Sequence, residues 1–202
     1  MSRSLFPLLS LVVVSLAACP EVTPDEGDNE NEVITTITLT FTPDAGGAAL
    51  VFAFDDPEND GAPIIDAVVL DNDVDYDLAV SFANELADPA EDLTAEVRDE
   101  AVDHQVFFFG SGVQSPASNV AGALITQSYA DSDANDLPVG LASTIVTNVT
   151  GVAELQVVLR HMPQENDVAV KTADAASTFK EQGEAGLGGS TDAAVTFPLN
   201  VE

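Results

Sequence analysis

The chain has 202 residues, 46% of them hydrophobic, with 35 Asp and Glu against 5 Lys and Arg, a formal net charge of -30 at pH 7. Phosphate backbones and anionic lipid surfaces are bound through basic footprints that this composition lacks, so nucleic-acid binding is excluded. A single cysteine excludes an intrachain disulfide, and stability must come from a hydrophobic core, for which ~180 residues suffice by burying roughly 70% of their unfolded-chain surface.

From the N-terminus, Arg3 precedes an apolar stretch from Leu5 to Leu16 broken only by Pro7, Ser10 and Ser15, and small residues lead into Cys19. This is the pattern of a secretory signal, and it is shorter than the ~20 apolar residues a membrane-crossing helix needs. Leu16-Ala17-Ala18-Cys19 resembles, position by position, the lipobox of bacterial lipoprotein signals. That resemblance implies removal of residues 1-18, a diacylglyceryl group on the Cys19 sulfur and often a third acyl chain on the freed amine. Two or more chains hold firmly to a membrane, so the expected partner is the membrane itself and the expected location the bacterial cell envelope, at the outer membrane, periplasmic or surface-exposed. The alternative is an ordinary secretory signal with an incidental cysteine, although a lone thiol is unusual in an exported protein.

Residues 19-32 follow as the lipidated cysteine and an acidic tether (PEVTPDEGDNENE after Cys19), too polar to collapse onto a core. As random coil the tether would span ~20 Å, and further with self-repulsion. The remaining acids make the surface soluble in a salty medium, where screening lengths are short, or serve to recruit Ca2+.

From Val33 the pattern switches to period two, with Val33, Thr35, Ile37, Leu39 and Phe41 on one face and Ile34, Thr36, Thr38, Thr40 and Thr42 on the other. This reads as a half-buried strand, and Gly46-Gly47 turns it into a hairpin with Leu50, Phe52 and Phe54. Further strands are expected over 64-70, 76-82, 104-109, 123-129, 139-147, 152-161 and 195-201. About eight or nine short strands separated by Gly, Pro, Asn and Asp predict an all-β fold over residues 33-202, an antiparallel β-sandwich, immunoglobulin-like or related. One short helix is expected after Asp88-Pro89, with Leu93, Val97 and Ala101 on its apolar face. The glycine-rich stretch 163-192 reads as a long loop. Phe107-Phe108-Phe109, apolar on both faces, predicts a central strand with the opposite sheet below and the helix from Asp88 above, or else a partner-binding patch.

The body resembles a family of small uncharacterised bacterial lipoproteins. The residues that carry the likeness are Glu32-Val33-Ile34-Thr35-Thr36, Asp103-His104-Gln105 with Phe107-Phe108-Phe109, Pro138-Val139-Gly140-Leu141, Leu159-Arg160-His161-Met162-Pro163, and Thr191-Asp192 to Val195-Thr196-Phe197-Pro198. Relatives are sometimes labelled type 1 periplasmic-binding-fold proteins, but that fold alternates strands and helices over a longer chain, which the pattern here contradicts. The resemblance implies location and architecture and no established activity.

Two constellations carry candidate chemistry. Acidic turns, notably Asp56, Glu58 and Asp60, and Asp131, Asp133 and Asn135, offer the alternating oxygen ligands that Ca2+ takes. The second turn is not an EF-hand, since Asp136 and Ala142 stand where the sharp-turn glycine and the bidentate glutamate belong; Asp and Asn are also ordinary turn formers. At most weak Ca2+ binding is expected, and no other cofactor. His104 begins one strand and His161 ends another, so antiparallel pairing would bring the rings together, with Asp99, Glu100 or Asp103 nearby to complete a transition-metal site or simply to hydrogen-bond the imidazoles. No nucleophile elbow, phosphate loop, HExxH or Cys/His zinc spacing occurs, so no catalytic residue is assigned. The expected function is a membrane-anchored, non-catalytic binding or structural domain for a protein, glycan or small ligand. The alternatives are a metal-handling lipoprotein and, third, a carboxylate hydrolase.

Overall fold

A computed structural model describes residues 33-202. The signal, Cys19 and the tether all lie outside the described residues. Along the chain run β1 (Thr36–Pro43), β2 (Leu50–Asp55), β3 (Ile64–Ile65), β4 (Val68–Leu70), β5 (Asp75–Asn84), β6 (Glu91–Asp92), α1 (Thr94–Asp99), β7 (His104–Phe109) and β8 (Val113–Gln114). They are followed by β9 (Ile125–Tyr129), β10 (Ala142–Thr147), β11 (Gly151–His161), α2 (Ala175–Gln182), a 3-10 turn (Glu184–Gly186) and β12 (Ser190–Val201).

The structure is mostly β, in two sheets with two helices, and the larger sheet curls into a half-barrel. That sheet has eight strands in the order β3-β2-β1-β5-β10-β9-β8, with β6 paired to the end of β5; the smaller has four, β4-β12-β11-β7. Pairing is antiparallel except for β4 on β12 and β8 on β9. The period-two reading of β1 holds: Ile37, Leu39 and Phe41 are buried between half-buried threonines, and β2 returns with Phe52 opposite Leu39. Tyr76, Leu78, Val80 and Phe82 of β5, Val106 and Phe108 of β7, Leu155, Val157 and Leu159 of β11, and Phe197, Leu199 and Val201 of β12 join them in one core shared by both sheets. Each such side chain contributes about 1.5–3 kcal/mol of burial free energy.

Five expectations change. The apolar run 64-70 is not one strand: Ile64 and Ile65 extend the larger sheet, while Val68 to Leu70 join the smaller one beside β12. The helix after Asp88-Pro89 starts only at Thr94, because Glu91 and Asp92 pair with Asn84 and Ala83 at the end of β5 and the Asp92 side chain accepts the Thr94 amide at 3.0 Å. Pro89 therefore sits outside α1, whose buried face is Thr94 and Val97. The stretch 163-192 is not a loop throughout, since it contains α2 and the start of β12. Lastly, the cover over the outer face of β7 is α2, not α1. Phe108 enters the main core, while Phe107 lies in a second cluster with Ala117, Met162, Ala175 and Phe179, stacked on Phe179 at 4.7 Å. The two sheets hold twelve strands where about eight or nine were expected, and the larger sheet is a curled half-barrel.

Candidate functional site

The histidines meet. β7 and β11 pair antiparallel with His104 opposite His161, and both share the parity of core residues, Val106 and Phe108 on one strand and Val157 and Leu159 on the other. Both rings accordingly point into the interior, 1% and 7% exposed, and they stack with centroids 4.5 Å apart and planes 7° from parallel. Glu100 caps the C-terminus of α1 one helical turn before His104. Its carbonyl oxygen lies 3.2 Å, and its carboxylate Oε2 4.0 Å, from His104 Nδ1.

A fourth group comes from β12. Leu159 pairs with Ala193 and Arg160 with Thr191, so Asp192 is the extra residue of a bulge. Bulges re-aim side chains, and here the Asp192 carboxylate Oδ2 comes 3.7 Å from His104 Nε2. Burial pushes the Asp192 carboxyl above its ordinary value, against the opposing pull of His161, Arg160 and the Ser190 hydroxyl. Asp192 Oδ2 and His161 Nε2 are both buried without a hydrogen-bond partner. Glu100, His104 and His161 each offer a ligand atom within 4.8 Å of the others, and among the described residues no other three His, Cys, Asp or Glu converge this way.

No family model matches this chain, nor does any curated protein or solved structure.

The acidic turns are arranged differently from a cation cage. Asp131 accepts the Gly140 amide at 2.7 Å and the Ala142 amide at 2.9 Å, one on each carboxylate oxygen. Asp133 Oδ1 accepts the amides of Asn135 and Leu137, and its Oδ2 faces Lys171 Nζ at 2.8 Å, in an ion pair with both side chains buried. Asn135 itself is exposed. In the earlier turn Asp56 accepts the amides of Asp60 and Gly61, Asp60 accepts that of Ala62, and Glu58 is exposed. These oxygens close turns, and a cation at Asp133 would have to displace an ammonium. Millimolar CaCl2 is expected to leave the melting temperature where chelator leaves it; a rise of several degrees with CaCl2 would contradict this assignment.

Two basic residues carry structural weight that their spacing did not reveal. Arg160 donates from Nη1 to Thr191 Oγ1 and from Nη2 to the carbonyls of Gly188 and Gly189 at 2.7 and 3.0 Å, fastening the segment after α2 to β11. Gly189 is required there: its φ is +76° and a Cβ would collide with the His161 carbonyl. Lys171 additionally donates to the Ala101 carbonyl at 2.7 Å. Beside α2 an open groove of about 470 Å³ is lined by Phe109, Ala117, Val120, Phe179 and Lys180 among others.

Proposed function

We propose that the chain is a bacterial envelope lipoprotein of the small family it resembles, anchored through Cys19, whose residues 33-202 form a non-catalytic binding or structural module. The observation that carries this reading is Leu16-Ala17-Ala18-Cys19 placed directly after a short apolar stretch. The order of parts supports it: an acidic spacer ends where the β domain begins, with β1 starting at Thr36. In this reading the fold is a curled relative of the β-sandwich, a view supported by the single core that side chains of both sheets share. The half-buried Asp131 and the buried Asp133, Lys171 and Arg160 engage the protein's own backbone and one another, as in a scaffold, and the groove beside α2 offers a largely apolar surface for a ligand.

Fractionation tests the anchor. Wild-type protein is expected to sediment with membranes, to resist extraction by salt, since its charge repels anionic headgroups, and to be released by detergent. Cys19→Ser is expected to lose the lipid-modified form and to disappear from the detergent-extractable membrane fraction. A variant that partitions and migrates like wild type would refute the anchor.

A further inference from the structure

We infer that Glu100, His104 and His161 form a binding site for one divalent transition-metal ion of the zinc class, with Asp192 as the carboxylate that orients His104. This goes beyond the anchored-module reading and does not rest on it. The ligand atoms of the three side chains lie within 4.8 Å of one another. Tetrahedral zinc with bonds of ~2.0–2.1 Å holds its donors about 3.3 Å apart, so assembling the site takes side-chain adjustment and no rearrangement of strands. Antiparallel pairing of β7 with β11 has already placed the two histidines opposite each other.

Two orphaned atoms point to a ligand. His161 Nε2 and Asp192 Oδ2 are buried and lack hydrogen-bond partners, and native structures rarely leave such groups unsatisfied without a reason. A metal resolves both. On His161 it occupies the idle nitrogen. On His104 it binds Nδ1, on the side where Glu100 Oε2 stands 4.0 Å away, replacing the contact that Nδ1 makes with the Glu100 carbonyl. The His104 proton is then confined to Nε2, which faces Asp192 Oδ2 at 3.7 Å. The result is the carboxylate–histidine–metal relay by which outer carboxylates fix ring orientation and raise ligand basicity.

The donor set decides the ion. Two imidazoles and one carboxylate suit zinc and its neighbours, whereas Ca2+ takes six to eight oxygens. Glu100 is 35% exposed, so the ion has a route from solvent and a fourth position for water. The rings are now stacked 7° from parallel, and parallel lone pairs do not converge on one ion. Binding must therefore turn one imidazole and break the stack, which makes the event visible by histidine NMR.

The experiment uses the full chain purified without chelator, stripped, and titrated with ZnCl2 by calorimetry and with Co2+ by absorption spectroscopy. The expected results are about one zinc per chain, the intense d–d absorption of four-coordinate Co2+, and perturbed ring resonances of both histidines. His104→Gln with His161→Gln should abolish the site, and Asp192→Asn should weaken it about 10- to 100-fold while keeping the stoichiometry. Should the double variant fail to fold, the wild-type cobalt spectrum and ring shifts still decide. No four-coordinate cobalt band in wild type, histidine shifts that follow pH but not zinc, or full stoichiometry in a folded double variant would each overturn the proposal.

Discussion

Replacing Lys171 with methionine is expected to destabilise the domain by about 3–5 kcal/mol, the cost of leaving a buried charge without its partner. Lys171 is 3% exposed and its Nζ sits 2.8 Å from Asp133 Oδ2 and 2.7 Å from the Ala101 carbonyl. One ammonium thereby joins three segments: the approach to α2, the turn after β9 and the end of α1. For a domain of this size the loss corresponds to a fall in melting temperature of roughly 6–20 °C. Asp133→Asn should cost a comparable amount, and the double variant less than the sum of the singles, because the two residues share one interaction. The pH dependence has a definite sign. Burial pushes the Asp133 carboxyl up, but Lys171 and the amides of Leu137 and Asn135 outweigh it and hold the group below its ordinary value. Its stabilising contribution is thus fully present above the unfolded-state value of ~3.9 and is lost as pH falls through the lower folded one. Urea melts should show the wild-type advantage over Lys171→Met at pH 7 shrinking below about pH 4. A single variant within ~1 kcal/mol of wild type at pH 7 would mean that the pair is solvated, not buried.

Phe107→Ala is expected to cost about 3–5 kcal/mol, as truncation of a buried aromatic does, and to release α2 in particular. Phe107 is fully buried and stacks on Phe179, while Phe109 meets the same ring edge-on at 4.9 Å. α2 has eight residues and no side-chain cap hydrogen bond at its N-terminus, too short to persist without tertiary docking. Hydrogen exchange should therefore show the amides of 179-183 losing protection before those of β11, and Phe107→Leu should restore most of it. Uniform loss across β11 and α2 would assign Phe107 to the main core instead.

Much of the strand content was legible because Thr36 to Phe41 and Tyr76 to Phe82 alternate cleanly, and one exposed face forces period two. α2 was not, for a physical reason. Ala-Ala-Ser-Thr-Phe-Lys-Glu-Gln buries only Ala175 and Phe179, so no apolar stripe signals a helix that depends on a partner surface. The approach of His104 to His161 followed from their places at opposite ends of two antiparallel strands. Asp192 did not, because a bulge shifts register by one residue without a composition signal. Nor did the Lys171–Asp133 pair, whose members are 38 residues apart and joined only by tertiary folding. The acidic turns illustrate the converse: Asp131 and Asp133 have the spacing of cation ligands, but their oxygens serve nearby amides and an ammonium.

Intact-mass and peptide mass spectrometry of the mature N-terminus of protein extracted from membranes decides whether Cys19 anchors the protein. The expected result is a chain that begins at Cys19, lacks residues 1-18 and carries a diacylglyceryl thioether on the cysteine, with or without an N-acyl chain. An unmodified Cys19 peptide, or a mature chain that starts elsewhere, would contradict it.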